Sequence, residues 1–322
     1  CPVQLTWNDV EKGELTLSNQ YNFVNLKDCR FSYRLLQMPA MGSTQVKVLK
    51  QGNISSPDVA PGKEAQVKIP MMANADAVEI KAVNHEGEEI MTWSRGVKSE
   101  ERRVKNSSAP STSSAAYADQ ADAVEVKAGG RTYRFAKKDG RLMGVEVGSK
   151  AISLSNGPRF MAARRSDRSL DQFYNHDDKE AEKKKTLYTE FVDQGAFAGF
   201  EWKEAEAKLV ATYQHGSLDE VDWQFLSDGS VAVTCHYNFG GVVDMMGMAF
   251  DYPESKVRSK AWVGNGPYRV WQNREQGPQY GYWQNDYNDP IPAESWDYPE
   301  FKGYFANVKW MQFKTDEGKI GF

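Results

Sequence analysis

Apolar and polar residues alternate with a period of two through the first hundred residues of the chain. The apolar members of this pattern are Leu15 and Leu17, Tyr21 and Phe23, Phe31, Tyr33 and Leu35, and Val46 and Val48. Half-buried β-strands show such a pattern because successive side chains point to opposite faces of a sheet. Glycines such as Gly13 and Gly62 separate the segments as turns. Six or seven short strands in about a hundred residues are typical of an immunoglobulin-like sandwich, which we predict for residues 1–97.

Residues 98–122 differ in character from the strands on either side. The segment begins with charged residues and becomes rich in Ser and Ala, without apolar periodicity. A segment with almost nothing apolar to bury does not pack into a core. We therefore predict a linker over 98–122.

Alternation returns at Ala123 and continues through most of the remaining chain. Val124 and Val126 are followed by similar pairs, and "LSDGSVAV" places Asp228–Gly229 at a strand–turn–strand connection. About two hundred residues of antiparallel strand predict a large sandwich of two sheets for residues 123–322. The predicted fold class is therefore all-β.

Composition and charge narrow the classes of function. The chain has 322 residues and a formal charge of −4, whereas nucleic-acid binding requires a clustered basic face. No apolar run is long enough to span a bilayer, and no secretory signal is visible. The three cysteines, Cys1, Cys29 and Cys235, lack the spacing of a structural zinc site. We expect no metal and no cofactor.

Aromatic residues make up 12% of the chain and are concentrated after Trp262. Aromatic rings can stack on sugar rings, and neighbouring amides and carboxylates can bond sugar hydroxyls, but the same rings can fill a β-sandwich core. The segment 282–298 is aromatic and broken by prolines, which is typical of a long ordered loop. The candidate carbohydrate-binding residues are Trp271, Trp283, Asn285, Asp286, Trp296 and Tyr298. The alternative is that the rings are core and the Asn and Asp residues form turns.

The sequence points to no catalytic residue. Glycosidases use two carboxylates on a rigid frame, and no such pair stands out. Strands do not alternate with long amphipathic helices, so no α/β barrel is encoded. Sugar ring opening requires a general acid and a general base. His236 in "TCHYNFGG" is a candidate for this chemistry, with His176 and either Glu294 or Glu300 as partners.

Two regions resemble a known enzyme family. "VEKGELTLSNQYNFVNLKDCRFSYRLL" and "PDVAPGKEAQVKIP", within residues 4–96, are similar to the sandwich that follows the barrel of glycoside hydrolase family 2 β-galactosidases. Residues 123–322 resemble the last domain of that family, the β-galactosidase small-chain domain. Its motifs are matched loosely at Gly157 and Pro158, and more fully in "WVGNGPYRVWQNREQG". The matching residues there are Trp262, Gly264, Gly266, Pro267 and Arg274.

The resemblance implies a galactose-mutarotase-like supersandwich for residues 123–322. It also implies an architectural role for the Gly-Pro segment, with Arg274 pinning the loop. The family's catalytic glutamates lie on a barrel that would precede Cys1. The resemblance therefore implies a non-catalytic accessory region that scaffolds a partner catalytic barrel, contacts carbohydrate, and is periplasmic or extracellular. A stand-alone carbohydrate-binding protein and a mutarotase-like sugar epimerase are the alternatives.

Overall fold

The structure, a computed structural model, describes residues 1–97, 114–165, 188–190, 195–270, 277–286 and 303–322. Within these ranges the strands pair antiparallel, and the helical segments are three 3₁₀ turns of three residues each. No helix in the described part of the chain has the length and apolar character needed to cross a bilayer. The all-β class is confirmed.

The chain divides into two compact units. The first contains Cys1–Ser107, Val257–Asp297 and Phe301–Phe322, and the second contains Ser108–Lys256 and Tyr298–Glu300. This division differs from the predicted one, because most of the last 66 residues, from Val257 onwards, belong to the compact unit that begins at Cys1. The predicted domain boundaries at residues 97 and 123 remain predictions.

The first unit contains a sandwich of two sheets. One sheet has the order β1-β2-β5, and its strands are β1 Val3–Asp9, β2 Glu14–Asn19 and β5 Glu64–Lys68. The other has the order β4-β3-β6-β7, and its strands are β3 Arg30–Gln37, β4 Lys47–Ile54, β6 Ala77–Val83 and β7 Glu89–Gly96. Leu15, Leu17, Phe31 and Leu35 are buried between the sheets, as their alternation predicts.

Three residues of the alternating pattern are exposed, so their predicted burial is wrong. Phe23 lies in a bend after β2 and is 95% exposed. Val46 precedes β4, and Val48 lies on this edge strand opposite Leu36. The pairing register shifts between Leu35 and Leu36, which places Val48 on the face away from the sandwich core. A local alternation cannot reveal such a shift.

A third sheet, which we call the C-terminal sheet, completes the first unit. Its order is β21-β20-β22-β23, and its strands are β20 Val257–Gly266, β21 Gln279–Asp286, β22 Trp310–Thr315 and β23 Gly318–Gly321. It packs against the outer face of the sheet that contains β3, β6 and β7. The buried residues of this contact, which we call the joining cluster, are Leu36, Met38, Ala77, Val263, Tyr280 and Trp310.

Polar contacts fix the position of the joining cluster. The indole Nε1 of Trp310 donates a buried hydrogen bond to the carbonyl of Pro39 at 3.0 Å. The ammonium of Lys309 lies 3.1 Å from the Asp76 carboxylate. Because a buried indole N–H without an acceptor is costly, the Pro39 carbonyl specifies where Trp310 can lie.

The second unit is also built of sheets. A five-stranded sheet, ordered β12-β11-β10-β9-β8, consists of β8 Ala116–Asp119, β9 Ala123–Ala128, β10 Arg131–Ala136, β11 Leu142–Val147 and β12 Lys150–Ile152. A four-stranded sheet, ordered β15-β16-β17-β18, consists of β15 Ala196–Lys203, β16 Lys208–Gln214, β17 Leu218–Phe225 and β18 Val231–Tyr237. A three-stranded sheet, ordered β14-β13-β19, consists of β13 Ser155–Arg165, β14 Tyr188–Glu190 and β19 Met245–Asp251.

Aromatic side chains fill the core of the second unit, including Phe135, Trp223 and Phe225. The turn predicted at Asp228–Gly229 is confirmed, because β17 ends before it and β18 begins after it. Within the predicted linker, Ala116–Asp119 forms β8, which pairs with β9. Residues 98–113 of that linker lie outside the described residues.

Replacement of Trp310 tests the importance of the joining cluster. Trp310→Ala removes a large buried ring and should destabilise the first unit by about 3–5 kcal/mol. Trp310→Phe keeps a ring but leaves the Pro39 carbonyl unpaired, and should cost about 1–3 kcal/mol. Phe23→Ala, at an exposed position, should change stability by less than about 0.5 kcal/mol. Urea unfolding followed by intrinsic fluorescence measures all three, and equal stability of Trp310→Ala and Phe23→Ala would contradict the assignment.

Candidate functional site

The predicted carbohydrate-binding residues divide into two groups. Trp283, Asn285 and Asp286 lie on β21. Trp271, Trp296 and Tyr298 lie outside the described residues, as does Arg274. The described members of the predicted carbohydrate-binding set are therefore those on β21.

The three described residues do not share a face of the sheet. Trp283 and Asn285 are two positions apart and point to one face, whereas Asp286 points to the other. The prediction of a loop beginning at residue 282 is wrong for residues 282–286, which belong to β21, and adjacent residues of a strand lie on opposite faces.

The Trp283 ring packs on the Gly-Pro segment of β20. Its Nε1 donates to the Gly264 carbonyl at 3.1 Å and to the Gln279 carbonyl at 3.2 Å. A Cβ atom on Gly266 would lie 2.6 Å from Cδ1 of this ring, and one on Gly264 would lie 2.9 Å from Cα of Val308. These contacts support the architectural role expected for Gly264 and Gly266.

Asn285 lies beside a buried positive charge. Its Oδ1 is buried and has no hydrogen-bond partner among the described residues. Lys260, opposite Asn285 in the sheet, is only 3% exposed, and its ammonium lies 3.4 Å from the Asp286 carbonyl and 5.3 Å from the centre of the Phe305 ring. Arg269 approaches the same ring at 5.5 Å. This face of the C-terminal sheet thus combines cations, aromatic rings and an amide oxygen.

A cleft of about 1070 Å³ opens where β1 and β7 form the sheet edges of the first sandwich. Trp7 and Trp93 line it, and both rings are half-buried against the sandwich core. Arg95 and Asn265 add polar groups to the lining. Aromatic faces beside such groups can recognise polar ligands that have apolar surfaces. Sequence analysis missed this cleft because its tryptophans are far apart along the chain and come together only through the two sheet edges.

In the second unit, His236 lies next to two carboxylates. It is directly opposite Glu220 in the β17–β18 pairing, and its Nε2 lies 3.9 Å from a Glu220 carboxylate oxygen. Potential ligand atoms of Glu220, Asp222 and His236 all lie within 4.8 Å of one another, so the cluster could hold a divalent cation. His176, Glu294 and Glu300, the other candidates for ring-opening chemistry, lie outside the described residues.

Lys208 already supplies positive charge to this cluster. Its ammonium lies 2.9 Å from Glu206 and 3.3 Å from Asp222. The hydrogen bond with Glu206 raises the pKa of Lys208 above its ordinary value, so the lysine stays charged near neutral pH. A metal ion would have to compete with this ammonium for Asp222.

Two family models match the chain. The family model described as the β-galactosidase small chain matches residues 127–322. The family model described as domain 4 of β-galactosidase matches residues 15–93. No curated protein matches the chain significantly.

The contact of Gly266 with Trp283 can be tested by one substitution. Gly266→Ala should destabilise the first unit by about 1–3 kcal/mol, because the added methyl group collides with a ring held by two hydrogen bonds. Gly247→Ala is the matched control, since nothing lies within 4 Å of the added methyl group in β19. Thermal unfolding of both variants measures the difference, and an equal melting temperature would show that Trp283 moves freely.

The cysteines should differ in reactivity. Burial raises the pKa of the Cys235 thiol to about 11, whereas Cys1 is exposed. The thiolate is the reactive form, so at pH 8 Cys1 should react with a disulfide reagent at least tenfold faster than Cys235. Because the folded pKa exceeds the unfolded one, stability from the protonated Cys235 is complete below about pH 9 and is lost as pH rises towards about 11. Mass spectrometry of labelled peptides identifies the order of reaction, which a faster Cys235 would contradict.

Proposed function

Because the chain belongs to the β-galactosidase small-chain family, we propose that it is the C-terminal accessory region of a glycoside hydrolase family 2-like β-galactosidase. In this proposal the chain is not catalytic alone. It scaffolds a catalytic barrel that is encoded elsewhere in the parent enzyme, and it functions outside the cytoplasm.

The observation that carries the proposal is the joining cluster. Trp310 and Val263 belong to the segment that matches the small chain, and Leu36 and Ala77 belong to the segment that matches domain 4. Side chains from both family segments therefore share one buried contact within the first unit. This contact supports a single accessory body in which each matched segment covers apolar surface of the other.

Two further activities rest on particular side chains. Carbohydrate contact would rest on the side chains of Trp283 and Asn285, which share one face of β21. A mutarotase-like reaction would rest on His236 and Glu220, whose Nε2 and carboxylate oxygen lie 3.9 Å apart. The scaffold is the stronger proposal because its family matches cover both sides of the joining cluster.

Aryl β-galactoside hydrolysis tests the scaffold proposal. The purified chain should show no turnover. When mixed with the separately expressed catalytic barrel of the parent enzyme, it should form a larger particle on sizing chromatography and raise the turnover or thermal stability of the barrel. Trp310→Ala should weaken both effects, whereas Phe23→Ala should leave them unchanged.

Turnover by the isolated chain would count against the proposal if it disappeared in Glu220→Gln or Asp222→Asn. These two substitutions remove negative charge at the His236 cluster with little change in side-chain size. Persistent turnover in both variants would instead direct attention to contamination by another hydrolase. A mixture in which the two chains neither associate nor affect each other would also overturn the scaffold.

A further inference from the structure

A small groove lies on the face of the C-terminal sheet opposite Trp283. Side chains two positions apart on β21 and β22 form its floor, and the loop containing Gly42 borders it. The residues that line it are Gly42, Ser43, Thr44, Ser259, Lys260, Ala261, Tyr282, Gln284, Trp310, Gln312, Lys314 and Lys319. Its volume is about 130 Å³, well below the roughly 300–1,000 Å³ of drug-sized pockets. The groove suits one small polar molecule better than an extended chain.

The groove is positively charged in a chain whose net charge is −4. Among the residues that the structure describes, its charged lining residues are Lys260, Lys314 and Lys319, and no carboxylate lines it. Lys260 directs its ammonium towards Phe305, so the charge in the groove comes from the other two. Asp286 is on the same face, but it lies two strands away from Lys314, about 9–10 Å across β20.

Lys314 and Lys319 stand directly opposite each other in the pairing of β22 and β23. Like charges in this position repel each other and destabilise the pair. Neither lysine makes an ion pair with a carboxylate among the described residues, and the nearby Asp316 pairs with Arg258. An anion between the two ammonium groups would remove the repulsion and gain two charge-assisted hydrogen bonds.

The rest of the lining offers groups that recognise hydroxyls. Gln284 and Gln312 flank Ala261 on the two neighbouring strands, and each amide can both donate and accept hydrogen bonds. Tyr282 is half-buried, with its hydroxyl 3.3 Å from Gln284 Oε1, and its ring can support an apolar face of a ligand. Ser43 and Thr44 add hydroxyl groups from the bordering loop.

A glycine in β23 allows the loop that contains Gly42 to lie close to the sheet. A Cβ atom on Gly321 would collide with the sulfur of Met41, so glycine lets Met41 pack on β23. The groove therefore has a built wall as well as a floor.

We propose that this groove binds a single acidic sugar unit, such as a uronate or a sulfated monosaccharide. The anionic group lies between Lys314 and Lys319, and the ring lies towards Tyr282, where its hydroxyls bond to Gln284 and Gln312. The site is independent of whether the chain scaffolds a catalytic barrel, because its residues all belong to this chain.

Binding measurements on the full chain test the proposal. Calorimetry with glucuronate, galactose 6-sulfate, galactose and inorganic sulfate compares the ligand classes at equal ionic strength. The two acidic sugars should bind at least tenfold more tightly than galactose or inorganic sulfate, and added salt should weaken them. Lys314→Gln/Lys319→Gln should lose at least tenfold in affinity for the acidic sugars. Lys138→Gln/Lys150→Gln removes the same charge from exposed positions in the second unit and should bind like the unsubstituted chain.

Each other outcome rejects a defined part of the proposal. Equal affinity for inorganic sulfate and galactose 6-sulfate would make the groove a simple anion site. If galactose binds as tightly as the acidic sugars, Lys314 and Lys319 do not recognise the anionic group. If the folded, unsubstituted chain binds neither acidic sugar at high millimolar concentration, the site is rejected. An unchanged unfolding transition shows that Lys314→Gln/Lys319→Gln is folded.

Discussion

The first unit depends on the burial of Trp310 against residues that come from the beginning of the chain. The ring closes the joining cluster, and its N–H is satisfied by the Pro39 carbonyl at 3.0 Å. Burying a large apolar side chain contributes about 1.5–3 kcal/mol relative to leaving it in water. Leu36 and Ala77 point away from the core of the first sandwich and would otherwise present apolar surface to solvent. The C-terminal sheet therefore completes a fold that the immunoglobulin-like sandwich begins.

Much of the fold follows from local patterns. Alternation correctly located the buried residues of β2 and β3, and Asp228–Gly229 correctly marked a turn. It failed at Val48, because the additional residue Leu49 in β4 exchanged the two faces of that strand. It also could not indicate that β20–β23 belong to the same compact unit as the first hundred residues, because a period of two identifies the faces of a strand and not its partners.

The candidate site was predictable only in part, for the same reason. Trp283 was selected for its residue type, but its role depends on two glycines. The carbonyl of Gly264 accepts its N–H, and Gly266 leaves room for its ring. Asn285 and Asp286 were chosen as hydroxyl-binding residues of a predicted loop, whereas they lie in strand β21, which places them on opposite faces. Lys314 and Lys319 form no sequence motif. They come together only because β22 pairs with β23. The family resemblance supplied what local patterns could not, namely the order of the two kinds of domain.

The discontinuous first unit has a consequence for biosynthesis. A ribosome synthesises a chain in sequence order, so the sandwich of β1–β7 emerges before its covering strands exist. Leu36, Met38 and Ala77 then remain uncovered while all of Ser108–Lys256 is synthesised. Contacts between residues so distant in sequence form late, and uncovered apolar surface on a nascent chain favours aggregation. Between translation of Ala77 and of Trp310, the first sandwich therefore exposes apolar surface that the folded protein buries.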